Sequence, residues 1–310
     1  VKPLKILILH SMNRVIVITG PTATGKSDLA VETALWCREN LGLECEIISA
    51  DSRQVYTGLD IGSAKITETE IHGITHHMID VADPCNEVFS VVDFQNMARE
   101  KMRSIFSRGN VPIVCGGTGL YIDALVYDID YPAVLPDTKL RSELVLLSIE
   151  QLREKLRLLD PEKLQIIDQS NPVRLIRAIE LASTDEIVPD QSNKQLLYPT
   201  LWIGLQLDRE TMLERITKRI TARIPTLFDE IKHLRSIGVS DERLDRFGLE
   251  YRYGLMYVLG TITENEFIQL LTNKTWQFSK RQMTWFKRNT GINWYNPLTD
   301  KQKILKQVQD

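Results

Sequence analysis

Val15-Ile16-Val17-Ile18-Thr19-Gly20-Pro21-Thr22-Ala23-Thr24-Gly25-Lys26-Ser27 is the stretch that decides the fold. It opens on a short run of Val and Ile, the pattern of a strand buried on both faces. Gly20 to Ser27 then fits G-x-x-x-x-G-K-[ST] at every position, and Asp28 to Glu39 reads as a helix with apolar Leu29, Ala30, Ala34 and Leu35. Strand, glycine loop and helix is the context this motif needs. Glycines let backbone N–H groups curl around phosphate oxygens, and the helix N-terminus adds a favourable field. Lys26 supplies a mobile positive charge, and the Ser27 hydroxyl can ligate Mg²⁺. The segment Gly20, Pro21, Thr22, Ala23, Thr24, Gly25, Lys26 and Ser27 is therefore a candidate diphosphate or nucleotide site, ATP included. The motif does not say whether the phosphoryl group is what is transferred.

Outward from this loop the same grammar repeats. Glu46-Ile47-Ile48-Ser49-Ala50 reads as a second strand ending at Asp51, and Val111-Pro112-Ile113-Val114-Cys115 as a third, preceded by a helix over Asp93 to Ser107. Alternating strands and helices predict a parallel α/β sheet, with ligands beyond the carboxyl ends of the strands. Two such ends carry chemistry. A carboxylate at Asp51 can hold Mg²⁺ through water, act as a general base, or simply cap a helix. Gly116-Gly117-Thr118-Gly119 permits close ligand approach and offers the Thr118 hydroxyl. His76-His77 lacks a third ligand at useful spacing, so one packed and one exposed histidine is the expectation.

The pattern changes near Pro132 and Pro136. Asp137 to Leu159 is charged, leucine-rich and helical, and Asn171 to Ala182 is a second helical piece begun by Asn-Pro. Ser183 to Pro199 reads as a loop, and Leu201-Trp202-Ile203-Gly204-Leu205 as a strand returning to the sheet. Helices are expected over Glu210 to Thr221, Phe228 to Ser236, Tyr251 to Leu259, Glu264 to Leu271 and Trp276 to Arg288. Residues 1–11 precede the first strand as an extra edge strand or an extension.

Composition sets bounds. The 310 residues carry 38 Lys and Arg against 41 Asp and Glu, a net charge of −3, which excludes a globally basic binder but not a local patch. The hydrophobic content of 43% suits a folded globular chain. Four scattered cysteines, Cys37, Cys45, Cys85 and Cys115, fit neither a disulfide framework nor a zinc site, so a reducing, cytoplasmic setting is expected, with no membrane association.

A local basic patch does occur. Phe267 to Thr299 contains no acid, and Lys280, Arg281, Thr284, Lys287 and Arg288 fall along one helical stripe. Such a stripe can track a nucleic-acid backbone, whereas the interleaved Trp276, Phe278, Trp285 and Phe286 read as core. Arg215, Arg219 and Arg223 form a second stripe, equally readable as cations for a departing diphosphate or as partners of Glu210 and Glu214.

GPTATGKS, SADSRQVYTGLDIGSAK, HHMIDVADP, GGTGLYIDAL, NPVRLIRAIE and KRQMTWFKR occur in that order, and from about Asn13 to about Trp294 the chain resembles the tRNA isopentenyltransferases. The resemblance implies a P-loop α/β core with an added helical domain. The core is expected over 1–127 and 198–310 and a tRNA-binding helical insertion over 128–197, in a monomer. It implies transfer of a dimethylallyl group from dimethylallyl diphosphate, with Mg²⁺, to N6 of adenosine 37 beside the tRNA anticodon. Asp51 matches the family's base, Arg219 or Arg223 its catalytic arginine, and Thr118 the hydroxyl by the reacting amine. Asp51, Ser52, Arg53 and Gln54, together with Thr118 and Arg141, match tRNA-contacting positions. So do Val173, Arg174, Leu175, Ile176 and Arg177, and Lys280, Arg281, Gln282, Met283, Thr284, Trp285, Phe286 and Lys287. The chain departs from the family at Thr24 and Ser27, which exchange the usual hydroxyl residues, and at Gly248-Leu249-Glu250-Tyr251-Arg252, where Gly-Tyr-Arg is usual. Three other readings stand beside this one: a small-molecule kinase, a prenyltransferase for free adenine nucleotides, and a nucleotide-gated RNA-binding module. The first two leave the late basic stripe unused.

Overall fold

Strand β1 (Val15–Thr19) is buried along its whole length and pairs in parallel with β4 (Val111–Gly116) on one side and β5 (Thr200–Leu205) on the other. Val15 and Val17 enter one hydrophobic cluster and Ile16 and Ile18 another, so both faces of the strand are covered. That is why its sequence runs apolar without alternation. β2 (Cys45–Ser49) flanks β4, and two short edges, β3 (His76–His77) and β6 (Asn293–Tyr295), complete a parallel sheet in the order β3-β2-β4-β1-β5-β6. The structure, a computed structural model, describes residues 13–86, 88–129, 131–132, 134, 137–184 and 194–309. Residues 1–11 and most of the loop expected over Ser183 to Pro199 lie outside these.

Register places the site. Thr19 lies opposite Gly116, so the loop after β1 and the turn after β4 emerge side by side. The Thr19 hydroxyl donates to the Gly116 carbonyl at 3.2 Å. Helix α1 (Lys26–Leu41) follows the first loop, α2 (Val91–Ser107) precedes β4, and α3 (Gly119–Val126) follows it.

The chain divides into two units, Val1–Asp128 with Gln195–Asp310, and Ile129–Lys194. The second is helical: α4 (Thr138–Leu144), α5 (Ile149–Leu159), α6 (Pro161–Ile166) and α7 (Pro172–Ala182) bury Leu144, Leu152, Leu156, Leu164, Leu175, Ile176 and Ile179 together. The single helical stretch expected from Asp137 to Leu159 is two helices, because Ser148 and Gln151 form a capping box that starts a new one. Glu180, 2% exposed, accepts two hydrogen bonds from Arg141, at 2.7 and 2.9 Å, and one from the Asp137 N–H. Arg177 Nη1 lies 3.3 Å from the same carboxylate, so deleting Arg141 would remove two charge-assisted hydrogen bonds and leave Glu180 with Arg177 and the Asp137 N–H.

The first unit continues with α8 (Arg209–Ser236), α9 (Asp241–Phe247), α10 (Leu249–Val258), α11 (Glu264–Phe286) and α12 (Lys301–Gln309). Two expected breaks are absent. α8 runs straight through Pro225, because Ile220, Ile224, Leu227, Phe228 and Ile231 keep one buried face across it. Burial of several such side chains, about 1.5–3 kcal/mol each, exceeds the penalty of roughly 3 kcal/mol for one internal proline. α11 bridges the expected gap between Leu271 and Trp276 because its buried stripe passes through Thr275, Ser279 and Gln282 rather than through apolar residues.

Candidate active site

The loop from Gly20 to Ser27 is built from conformations few side chains allow. Gly20 has φ +144°, and a Cβ there would lie 2.5 Å from the Leu205 carbonyl oxygen. Gly25 starts α1 at φ +87° with no side-chain cap, which leaves first-turn N–H groups for an anion. Thr24, fully buried, donates to the Pro21 carbonyl at 2.8 Å and closes the loop on itself. Lys26 Nζ also donates to Pro21 O, at 2.7 Å. Loss of hydration lowers the Lys26 pKa to about 8, against the opposing fields of Cys115 and Asp51.

The loop opens on a cavity of about 760 Å³. Lys26, Ser27, Asp51, Gly117 and Arg219 all line it. Asp51 is not a helix cap. Its Oδ1 accepts the N–H groups of Arg53 (2.8 Å) and Gln54 (3.3 Å), and among the described residues no hydrogen bond engages Oδ2. One oxygen fixes the carboxylate while the other stays available. Thr118 Oγ1 accepts the Ser52 N–H at 3.2 Å, which ties the turn after β4 to the turn after β2. Gln54 accepts from Ser49 Oγ at 2.9 Å and donates to the Ala64 carbonyl at 3.2 Å, so it is part of the cavity wall.

α8 settles the second cationic stripe. Arg215, Lys218, Arg219 and Arg223 all line the cavity, and among the described residues none of them forms an ion pair with Glu210 or Glu214. Arg219 and Asp51 feel each other's charge, and Arg219 opposes the charge on Lys26. Arg223 responds first to loss of hydration and then to Arg219 and Glu250. Of the two arginines, Arg219 is therefore the one in electrostatic contact with both the loop lysine and the carboxylate.

Several participants escaped the sequence reading. Half-buried Glu250, at the start of α10, is pushed towards its neutral form by burial, against the field of Arg219. Its only signal was the departure from Gly-Tyr-Arg. Lys65 lines the cavity and binds Asp60 and Asp80, each at 2.5 Å, and the Tyr56 carbonyl at 3.0 Å. Glu230 on α8 accepts the N–H groups of Asp60, Ile61 and Gly62 (2.9, 2.6 and 3.1 Å) and the Tyr251 hydroxyl (2.9 Å), which fixes this wall to the arginine helix. Cys115 also lines the cavity, but burial pushes its thiol up to about 12, so it is no nucleophile at neutral pH.

His76 and His77 are both half-buried, which corrects the packed-and-exposed expectation. His77 Nε2 pairs with Glu46 at 2.7 Å, and His76 Nδ1 bonds the Ile74 carbonyl at 2.8 Å. Among the described residues no group of three or more His, Cys, Asp or Glu is placed to hold a metal. Ser27, Asp51 and the cavity's other oxygen donors are nevertheless of the hard type that Mg²⁺ prefers when phosphate supplies further ligands.

The late stripe splits in two. Lys280, Arg281, Thr284, Lys287 and Arg288 are exposed, while Phe286 and Gln282 are buried and Met283 and Trp285 are half-buried. Among the described residues no carboxylate pairs with the four cations; Lys280, Arg281 and Arg288 lie instead over Trp276, Phe278 and Trp285 at 5.9, 5.6 and 5.5 Å. In the helical unit, Leu175 and Ile176 are core residues, like Phe286 in the other unit, so their side chains do not reach a ligand from solvent. Val173 is exposed, Arg174 lies 3.6 Å from Asp168, and Arg141 and Arg177 both engage Glu180.

A parallel α/β sheet, a phosphate loop and a cation-lined cavity at the strand ends define a P-loop protein built to hold a phosphate-bearing ligand. A family profile described as IPP transferase matches residues 54–289, so the chain belongs to the IPP transferase family. It is 35% identical over 306 residues to the tRNA dimethylallyltransferase of Bacillus subtilis (strain 168), covering 95% of each chain. The crystal structure of the full-length tRNA isopentenylpyrophosphate transferase from Bacillus halodurans superposes with a TM-score of 0.69 at 32% identity, covering 96% of this chain and 94% of that one. A eukaryotic dimethylallyltransferase acting on tRNA has the same fold, with a TM-score of 0.73 at 21% identity over 91% of this chain and 73% of its own. No helix among the described residues is long and apolar enough to cross a membrane.

Proposed function

We propose that the protein transfers a dimethylallyl group from dimethylallyl diphosphate to N6 of adenosine 37 in tRNA, releasing diphosphate. The observation that carries this reading is that Lys26, Asp51 and Arg219 line one cavity. An exocyclic adenine amine is a weak nucleophile, because its lone pair is delocalised into the ring. It needs a base as the new C–N bond forms. Asp51, with Oδ1 anchored and Oδ2 free, takes that proton. As the allylic C–O bond breaks, negative charge grows on the departing diphosphate, and Lys26, Arg219 and the loop N–H groups stabilise it. Ser27 would help to hold a Mg²⁺ ion there, which would supply further positive charge to the leaving diphosphate. Thr118 lies beside the amine.

The exposed cations of α11 hold the tRNA backbone through phosphate contacts, and the anticodon-loop purine is extruded to reach the cavity. Exposed residues of the helical unit, Val173 and Arg174 among them, add contacts to the anticodon stem-loop. The direct test offers labelled dimethylallyl diphosphate and Mg²⁺ with unmodified tRNA, with AMP, or with neither. Label in tRNA alone is expected. Label in AMP would replace the acceptor, and label in neither would overturn the reading.

A further inference from the structure

α11 carries its cations on one face and Gln282 on the other. Gln282 is 8% exposed, and its amide spans two turns of the active site. Oε1 accepts the Thr22 N–H at 2.9 Å, and Nε2 donates to the Gly117 carbonyl at 2.9 Å. Thr22 belongs to the phosphate loop. Gly117 precedes Thr118, whose hydroxyl holds the Ser52 N–H next to Asp51. One side chain thus bolts the cradle for the leaving group to the turn that carries the acceptor's neighbours. Gly117 is shaped to admit it, since a Cβ there would stand 2.5 Å from Nε2.

The chemistry of the bridge requires a primary amide of this length. Thr22 N–H needs an acceptor and Gly117 C=O needs a donor, so neither a carboxylate nor a thioether serves both. A methionine fills the same space and offers no donor. We infer that Gln282 is a positioning residue, which fixes the spacing between the phosphate loop and the Gly117–Thr118 turn and does not contact the tRNA. This replaces the role in tRNA contact that the resemblance implies for Gln282, and it rests on the prenyl-transfer reading above. Holding reacting groups in register matters greatly, because a misplacement near 1 Å costs on the order of 100-fold in rate.

The test uses the full chain, labelled dimethylallyl diphosphate and unmodified tRNA, with Gln282→Met, Gly117→Ala and the double variant. Thermal unfolding of each checks folding, and Gly117→Ala breaks the bridge from its other end should Gln282→Met fail to fold. At saturating tRNA, kcat is expected to fall by roughly 10- to 100-fold in each single variant, while tRNA Kd stays within about twofold. The double variant should be no worse than the more severe single one, because both remove the same link. An unchanged kcat with weakened tRNA binding in Gln282→Met would make Gln282 a tRNA contact and overturn the inference, as would fully additive losses. Wild-type protein that transfers no label fails the prenyl-transfer reading; wild-type transfer with undiminished variants fails this inference alone.

Discussion

Two cationic stripes of this protein, each following a helix, are used in opposite ways. On α8, Arg215, Arg219 and Arg223 point into the cavity at the strand ends. On α11 and the turn that ends it, Lys280, Arg281, Lys287 and Arg288 point into water. The sequence pattern is alike, but what the opposite face of each helix buries decides the outcome. The difference teaches where charge acts. Inside a cavity a cation is poorly screened and acts on one bound group; in water it is screened within about 8–10 Å and acts collectively on a polyanion. The inward face should therefore govern turnover, and the outward face tRNA affinity and its salt dependence.

The largest effect should come from the carboxylate that shares the cavity with the inward cations. Asp51→Ala is expected to lower single-turnover label transfer by about 10²–10⁴-fold, the usual contribution of a positioned base, while tRNA still binds. Turnover near the wild-type rate would remove Asp51 from the base role and leave the inward face without its partner.

Next comes the inward face itself. Arg219→Ala should cost about 10²–10³-fold in kcat, as expected for one group stabilising a developing anion, with a loss that persists at high salt. Arg223→Ala should cost less, since Arg219 is the arginine that feels Asp51. A larger loss at Arg223 would exchange the two assignments, and a loss at either that vanishes in salt would erase the distinction between the faces.

The same contrast explains what was legible in the chain. β1, the phosphate loop and the strand ends at Asp51 and Gly116 could be read because local rules decide them: apolar runs, glycines, a motif. Pro225 and the gap after Leu271 misled for a physical reason. Tertiary burial, including that of Thr275, Ser279 and Gln282, overrode a local breaker in one case and a missing apolar period in the other. The direction of the Arg215–Arg223 stripe was undecidable, since a cationic face reads the same over a cavity as over solvent. Glu230 and Gln282 were invisible as site-builders because their partners, Asp60 to Gly62 for one and Thr22 and Gly117 for the other, lie far away along the chain.

The outward face comes third in size. Lys280→Ala combined with Arg281→Ala should weaken tRNA binding by roughly tenfold at moderate salt and flatten the slope of log K against log salt by about 1 for each phosphate no longer neutralised. At saturating tRNA, kcat should stay unchanged. Nitrocellulose filter binding from low to high salt measures the slope, and an unaltered slope would reduce this stripe to solvated surface. Should kcat fall instead, the two faces would not be separable and the outward cations would have to reach the reaction.

The smallest effect sharpens the inward side of the comparison. A cation held away from water can lose its proton within the working pH range, and Lys26 is the case, with a pKa lowered to about 8 in the free protein. Diphosphate stabilises the charged form, so binding raises that pKa and takes up a proton whenever the free lysine is partly neutral. Below the free value the lysine is already charged and affinity is flat. Above it, each further pH unit should weaken the Lys26 contribution by up to about tenfold, until the raised pKa of the complex is reached. Calorimetry of inorganic diphosphate in buffers of different ionisation enthalpy reads the uptake directly: about 0.1 proton at pH 7, rising to about 0.5 at pH 8. Lys26→Arg keeps the charge at every pH tested and should abolish that component. Uptake equal in the two proteins would mean that another group supplies the proton, and that Lys26 keeps its charge even in the shelter of the cavity.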